Sequence, residues 1–217
     1  MDKPLLIYCY DAWCGWCYGF SPVIKKIHEA YQGKMDFEVL SGGMILPEKP
    51  VHILATANYI SKAIPYVEER TGVKFGKDYL WHIMHPEDSD WYPNSEKPAT
   101  ALCIFKEYYP DRAIAFACDL QYALHEEGRD LTDDEAYRHL LEKYSIQPEV
   151  FYQKLQDDEY KKMAYQEFDL VKQLQVNGFP AVLIQTGETK FHLVARGYTD
   201  HADLVERIDT ALKDFGK

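Results

Sequence analysis

Hydrophobic positions along the chain switch repeatedly between the period of a strand and that of a helix, and each change marks a new element. Leu5 to Tyr10 is a short apolar and aromatic run suited to a β-strand, and it stops at Asp11. Helical spacing follows. Phe20, Val23, Ile24, Ile27 and Tyr31 recur at steps of three and four, Lys25, Lys26 and Glu29 take the other face, and Gly33 supplies the stop. Phe37 and Val39 open a second strand that closes on Leu40-Ser41-Gly42-Gly43. Residues 1 to about 45 therefore predict a β-α-β unit, and its helical crossover implies parallel strands.

From about Val51 to Gln175 the period is almost wholly helical, with breaks expected at Pro65, Gly72, Pro86, Pro93, Pro98, Pro110, Gly128 and Pro148. Thr132-Asp133-Asp134-Glu135 has the spacing of a capping box, and Pro148 suits a first helical turn. After Asn177-Gly178 the period returns to two. Ala181 to Gln185 and Phe191 to Ala195 read as a β-hairpin turning at Thr186-Gly187-Glu188. A final helix from about Asp200 to Phe215 carries Leu204, Val205, Ile208 and Leu212 on one face, with Thr199 or Asp200 as its cap. The order β-α-β, helical block, β-β-α predicts an α/β fold whose two ends share one sheet. The expected division is a discontinuous domain of residues 1–48 and 176–217 and an all-helical insertion of residues 49–175.

Composition narrows the function. With 217 residues and 47% hydrophobic side chains, the chain can bury one substantial core. A formal charge of -11 argues against nucleic acid or an anionic membrane surface as the main partner, since both need clustered Lys and Arg. There is no run of eighteen apolar residues and no signal-peptide pattern in MDKPLLIYCYDAWC, so the expected location is cytoplasmic. Five scattered cysteines do not make the disulfide framework of a small secreted domain; they read as one pair and three singles.

The pair is Cys14-Gly15-Trp16-Cys17, between the end of a strand and the start of a helix. That position puts the first sulfur at a helix N-terminus, where amide groups and the dipole favour thiolate, and brings the second sulfur one turn behind it. Cys14 is thus the expected attacking thiolate and Cys17 the resolving partner. A second signal is Gly178-Phe179-Pro180, immediately before the hairpin. With these two motifs the chain resembles the DsbA-like branch of the thioredoxin superfamily over essentially its whole length, which implies a thioredoxin-like fold interrupted by a helical insertion.

The resemblance implies that Pro180 is cis and faces the cysteines. It also implies that Phe179 offers backbone hydrogen bonds to an extended substrate, with Trp13 and Trp16 completing a substrate-binding set. Thiol-disulfide exchange or isomerisation with protein or small-thiol substrates, glutathione among them, would need no metal or organic cofactor. The sequence departs from the family at two places. Relatives carry a buried acid six residues before the first active cysteine, where this chain has Tyr8; Asp11 is the substitute considered for tuning the thiol. The Gly15-Trp16 dipeptide also differs from the Gly-Pro and Pro-His of well-known relatives, so oxidising and reducing directions both stay open.

Other readings compete. The pair could be half of a zinc site, in which case the chain is a non-catalytic binding module, although no second Cys-x-x-Cys accompanies it. Kappa-like glutathione transferases and isomerases share the inserted architecture but usually lack an intact pair. Cys9, Cys103 and Cys118 lie in apolar patterns and read as core. His82 and His85 with Glu87, Asp88 and Asp90 are expected to form a solvated loop rather than a metal cluster, and Trp81, Trp91, Tyr92, Tyr108 and Tyr109 a helical core. Asn94 and Ser95 suit either an N-cap or a polar turn presented to the redox site.

Overall fold

In the computed structural model, which describes residues 2–215, strand β1 (Leu5–Tyr10) forms because alternate residues serve two buried faces. Leu6, Tyr8 and Tyr10 face one layer of the core, while Ile7 and Cys9 face the other. Helix α1 (Gly15–Tyr31) crosses to β2 (Asp36–Ser41), which lies parallel to β1 in the register Leu5 opposite Asp36 to Tyr10 opposite Ser41. β3 (Ala181–Gly187) runs antiparallel to β1 on its other side, and β4 (Lys190–Arg196) completes the order β2-β1-β3-β4. This is the mixed sheet of a thioredoxin-like fold, with β1 at its centre. The hairpin strands extend further than the hydrophobic alternation indicates, because backbone pairing continues to Gly187 opposite Lys190.

Between β2 and β3 lie α2 (Leu54–Thr71), α3 (Lys77–Met84), α4 (Glu96–Tyr108), α5 (Ala113–His125), α6 (Arg138–Lys143), α7 (Pro148–Leu155) and α8 (Asp158–Gln173). Helix α9 (His201–Leu212) follows β4. Leu204 and Ile208 of α9 join the α1 layer, while Val171 of α8 covers Ile7, Cys9, Ala181 and Leu183 on the opposite face. A half-buried ion cluster ties the helices to the sheet. Lys106 of α4 pairs with Glu38 of β2 at 2.5 Å and with Glu167 of α8 at 2.7 Å, and it also donates to the Val39 carbonyl. Among the described residues no helix is long and apolar enough to cross a membrane.

Several local expectations are corrected. Pro65 lies inside α2 rather than ending it, on the solvent side where the carbonyl left without a donor can reach water. Pro98 occupies the first turn of α4, where a missing N–H costs no intrahelical bond. The Thr132–Glu135 capping box does not form. Asp130 takes the Thr132 amide and hydroxyl, and Asp133 caps a short 3-10 turn by accepting from the Glu135 amide. Asp200 starts α9 without a side-chain cap because its carboxylate pairs with Arg70 at 2.8 Å. The last helix stops at Leu212, and Met1, Gly216 and Lys217, which the expected division includes, lie outside the described residues. Of the aromatic group only Trp91 is a fully buried core residue. Trp81, Tyr92 and Tyr108 are exposed, and Tyr109 is half-buried with its hydroxyl on the Tyr144 carbonyl.

Candidate active site

The site begins where β1 runs out. Asp11 follows Tyr10 and is buried, and its carboxylate accepts hydrogen bonds from three directions. The Trp13 amide donates to Oδ1 at 3.0 Å, the Ser95 hydroxyl to the same oxygen at 3.0 Å, and the Met44 amide to Oδ2 at 2.7 Å. Burial pushes the Asp11 carboxyl up, and those three bonds oppose the rise. The Asp11 carbonyl is also occupied, by the Cys14 amide at 3.1 Å and the Gln121 side chain at 3.1 Å. Gln121 is held in turn by the Ser21 hydroxyl at 2.7 Å.

This loop delivers Cys14 to the N-cap of α1. Its sulfur accepts from the Cys17 amide at 3.3 Å and lies 3.7 Å from the Phe179 carbonyl. Cys14 keeps 7% of its surface exposed and Cys17 none, which leaves Cys14 as the sulfur of the pair within reach of a partner. Burial drives the Cys17 thiol well above its usual range, with Cys14 adding to the rise. The remaining thiols are also buried and raised by burial, Cys9 to about 12 and Cys118 to about 11, with Cys103 higher again beside Glu167. Core packing explains all three.

The Phe179–Pro180 peptide is cis, and Pro180 is buried. The Phe179 ring packs on Gly42, where an added Cβ would come within 1.9 Å of it. Gly43 has φ +63°, and a Cβ there would meet Phe168 of α8 at 2.8 Å. The Gly pair at the end of β2 is therefore a seat for two aromatic rings as well as a strand stop, and it sets where the Phe179 carbonyl stands against Cys14.

Trp13 is turned inward. Its indole N–H donates to the Asn94 carbonyl at 2.9 Å, and its ring meets Trp91 edge-on at 5.8 Å. Trp16 is half-buried and lines a groove of about 440 Å³ with Tyr66, Glu69 and Arg70. Asn94 and Ser95 divide two tasks: the Asn94 side chain accepts from the Glu96 amide at 2.7 Å as a cap, while Ser95 faces Asp11. His82 stacks on Trp91 at 4.0 Å and bonds Ser89 at 2.8 Å, a packing role away from the cysteines.

Three contributors escape sequence reasoning. Gln121 and His125 are polar residues within the apolar run of α5, which was their available signal, and Tyr18 carries none. His125 is fully buried, stacked on Tyr18 at 5.0 Å, with Nδ1 on the Gln121 carbonyl at 3.0 Å and Nε2 unpartnered. Burial lowers it to about 4, so it stays neutral at physiological pH.

With this geometry in place, the comparisons with known proteins identify the class. Residues 6–209 match the profile of the DSBA-like thioredoxin domain, and the chain belongs to that family of thiol-disulfide oxidoreductases. A Nitrosomonas europaea structure described as a candidate protein disulfide isomerase is similar at 25% identity and a TM-score of 0.85, covering 99% of this chain and 100% of that one. The cytosolic disulfide reductase DsbM from Pseudomonas aeruginosa shares the fold at 24% identity and a TM-score of 0.73, covering 96% and 98%, and has also been solved with GSH. No protein of curated function matches the sequence.

Two outcomes are expected. An unfolded chain binds a proton at His125 near its ordinary value of about 6.5, whereas the folded one resists until about 4. The stability that His125 contributes is thus complete above pH 6.5 and is lost as the pH falls towards 4. Urea unfolding across that window should show the loss, and His125→Phe should flatten it. Gly42→Ala should displace the Phe179 ring and slow disulfide exchange about tenfold. The same substitution should add little in a Phe179→Ala background; equal slowing in both backgrounds would separate Gly42 from the Phe179 carbonyl.

Proposed function

We propose that this protein exchanges disulfides with a thiol-bearing substrate through the Cys14-Gly15-Trp16-Cys17 pair, acting in the cytoplasm as a reductase or isomerase. The observation that carries the reading is the asymmetry of the two sulfurs. Cys14 caps α1 with the Cys17 amide on its sulfur at 3.3 Å, while Cys17 lies fully buried behind it. Burial disfavours charge on the second sulfur, while the first keeps the access that an attacking thiol needs. A reachable nucleophile and a shielded resolving thiol are what stepwise exchange requires.

Exchange in the reducing direction starts with the Cys14 thiolate attacking a substrate disulfide. A mixed disulfide forms and one substrate sulfur leaves as thiolate. Cys17 then attacks Cys14, releasing the second substrate thiolate and leaving the enzyme oxidised. The Phe179 carbonyl beside Cys14 offers an acceptor for a substrate amide. Trp16 and its groove with Tyr66, Glu69 and Arg70 supply a surface for the residues flanking the substrate sulfur. Asp11 enters as a positioning group. Glutathione is included as a small-thiol partner, and the DsbM structure solved with GSH supports including it.

Cysteine variants test the reading. With dithiothreitol to regenerate the dithiol, the reduced protein should turn over glutathione disulfide or a mixed-disulfide peptide faster than dithiothreitol alone, Cys14→Ser should abolish the acceleration, and Cys17→Ser without added reductant should accumulate the Cys14 mixed disulfide, detected by mass. Turnover that survives loss of Cys14 would refute the proposal. Thioether formation from glutathione and an added aryl halide, with release of halide, by the Cys17→Ser protein would favour transferase chemistry instead.

A further inference from the structure

Gln121 is a polar side chain within the apolar run of α5, and none of its surface is exposed. It reaches across the seam between α5 and α1 and touches both ends of the redox segment. Its Nε2 donates to the carbonyl of Asp11, three residues before Cys14, at 3.1 Å. Its Oε1 accepts from the hydroxyl of Ser21, four residues after Cys17, at 2.7 Å. The orientation of the amide follows from chemistry, because the Asp11 carbonyl can only accept and the nitrogen must face it. These contacts bridge 110 and 100 positions of sequence, so one side chain of the helical block grips the segment on both sides of the pair.

Neither partner needs Gln121 to be satisfied. The Asp11 carbonyl already accepts from the Cys14 amide at 3.1 Å, closing the turn that leads into α1. The Ser21 hydroxyl has a single proton, and with Gln121 gone it can go to the Cys17 carbonyl, 3.3 Å away. The neighbours along the seam make no claim on the amide either. Cys118 is directed at the Ser21 carbonyl at 3.9 Å, and His125 takes the Gln121 main-chain carbonyl, which any residue would supply. A methionine would fill the same space without desolvating an amide, so packing alone does not call for glutamine here.

Taking the exchange reading above as its basis, we propose that Gln121 is a positioning residue for the step between the two cysteines. It ties the turn that carries Cys14 to the helix that carries Cys17, so that the Cys17 sulfur approaches in line with the bond it must break. In that step the Cys17 thiolate attacks Cys14 of the mixed disulfide. A Cys14–Cys17 bond forms, the bond from Cys14 to the substrate sulfur breaks, and its electron pair leaves on the substrate sulfur. That sulfur takes up a proton from water in place of the one Cys17 gave up. An internal attack of this kind gains its rate from a fixed near-attack geometry and loses it when either end is loosened. The first attack on the substrate depends instead on access to Cys14, whose own turn keeps its amide bond to Asp11 without Gln121.

Gln121→Met in the full chain, alone and combined with Ser21→Ala, tests the assignment. Reduced protein is mixed with excess glutathione disulfide, quenched with acid at intervals, and resolved by mass into free, glutathionylated and internally oxidised forms, with the thermal midpoint measured alongside. For Gln121→Met the resolving step should slow by roughly tenfold while formation of the mixed disulfide stays within about twofold, so that glutathionylated protein accumulates. The midpoint should match that of the wild type. Ser21→Ala should slow the same step, and the double variant should be no slower than Gln121→Met, since both changes remove one tie. A resolving step at the wild-type rate would overturn the proposal. So would equal slowing of both steps with a lower midpoint, which is the signature of packing, or a Ser21→Ala effect that is absent or multiplies that of Gln121→Met. A wild-type protein that forms no mixed disulfide at Cys14 would overturn the exchange reading itself, so the two failures remain distinguishable.

Discussion

The site depends on one buried carboxylate. Asp11 draws donors from its own loop, from the segment after β2 and from the start of α4, and its backbone carbonyl draws a fourth element, α5. Ser95 extends the tie, since its hydroxyl accepts from the Ile45 amide at 3.0 Å. A buried polar group is tolerable only with such partners, so the loop that places Cys14 is held by the helices between β2 and β3 as well as by the sheet. The helical block therefore helps build the candidate site even though it contributes neither sulfur.

The two cysteines have different surroundings. At the mouth, Cys14 meets the end of a helix and a backbone carbonyl; one turn deeper, Cys17 is fully buried in the core. Difference of environment, rather than of residue type, distinguishes the two sulfurs. Gly42 extends the effect across the sheet, because its missing side chain lets the Phe179 ring settle and holds the loop that faces Cys14.

Most of the architecture was legible because period and position carry it: alternation in β1, helical spacing in α1, and the return to alternation after Asn177. The cysteine pair stood out by its place at a strand–helix junction. Tertiary choices were not legible. Asp130 outcompeted Thr132 for the turn, and Arg70 engaged the Asp200 carboxylate that could have capped α9. Trp13 and Trp16 look alike in sequence, yet one indole is tied to Asn94 and the other opens to a groove. Asp11 was noticed only for its nearness to Cys14; its three donors come from residues as much as 84 positions away, a separation no local pattern records.

The most direct test of the account is the order in which the five thiols react in the reduced, native protein, measured by limited alkylation with iodoacetamide and mass mapping. Modification confined to Cys14 until the chain is unfolded is the predicted result, because it alone combines a helix terminus with access. Modification of Cys17, or of Cys9, Cys103 or Cys118, ahead of Cys14 would contradict it.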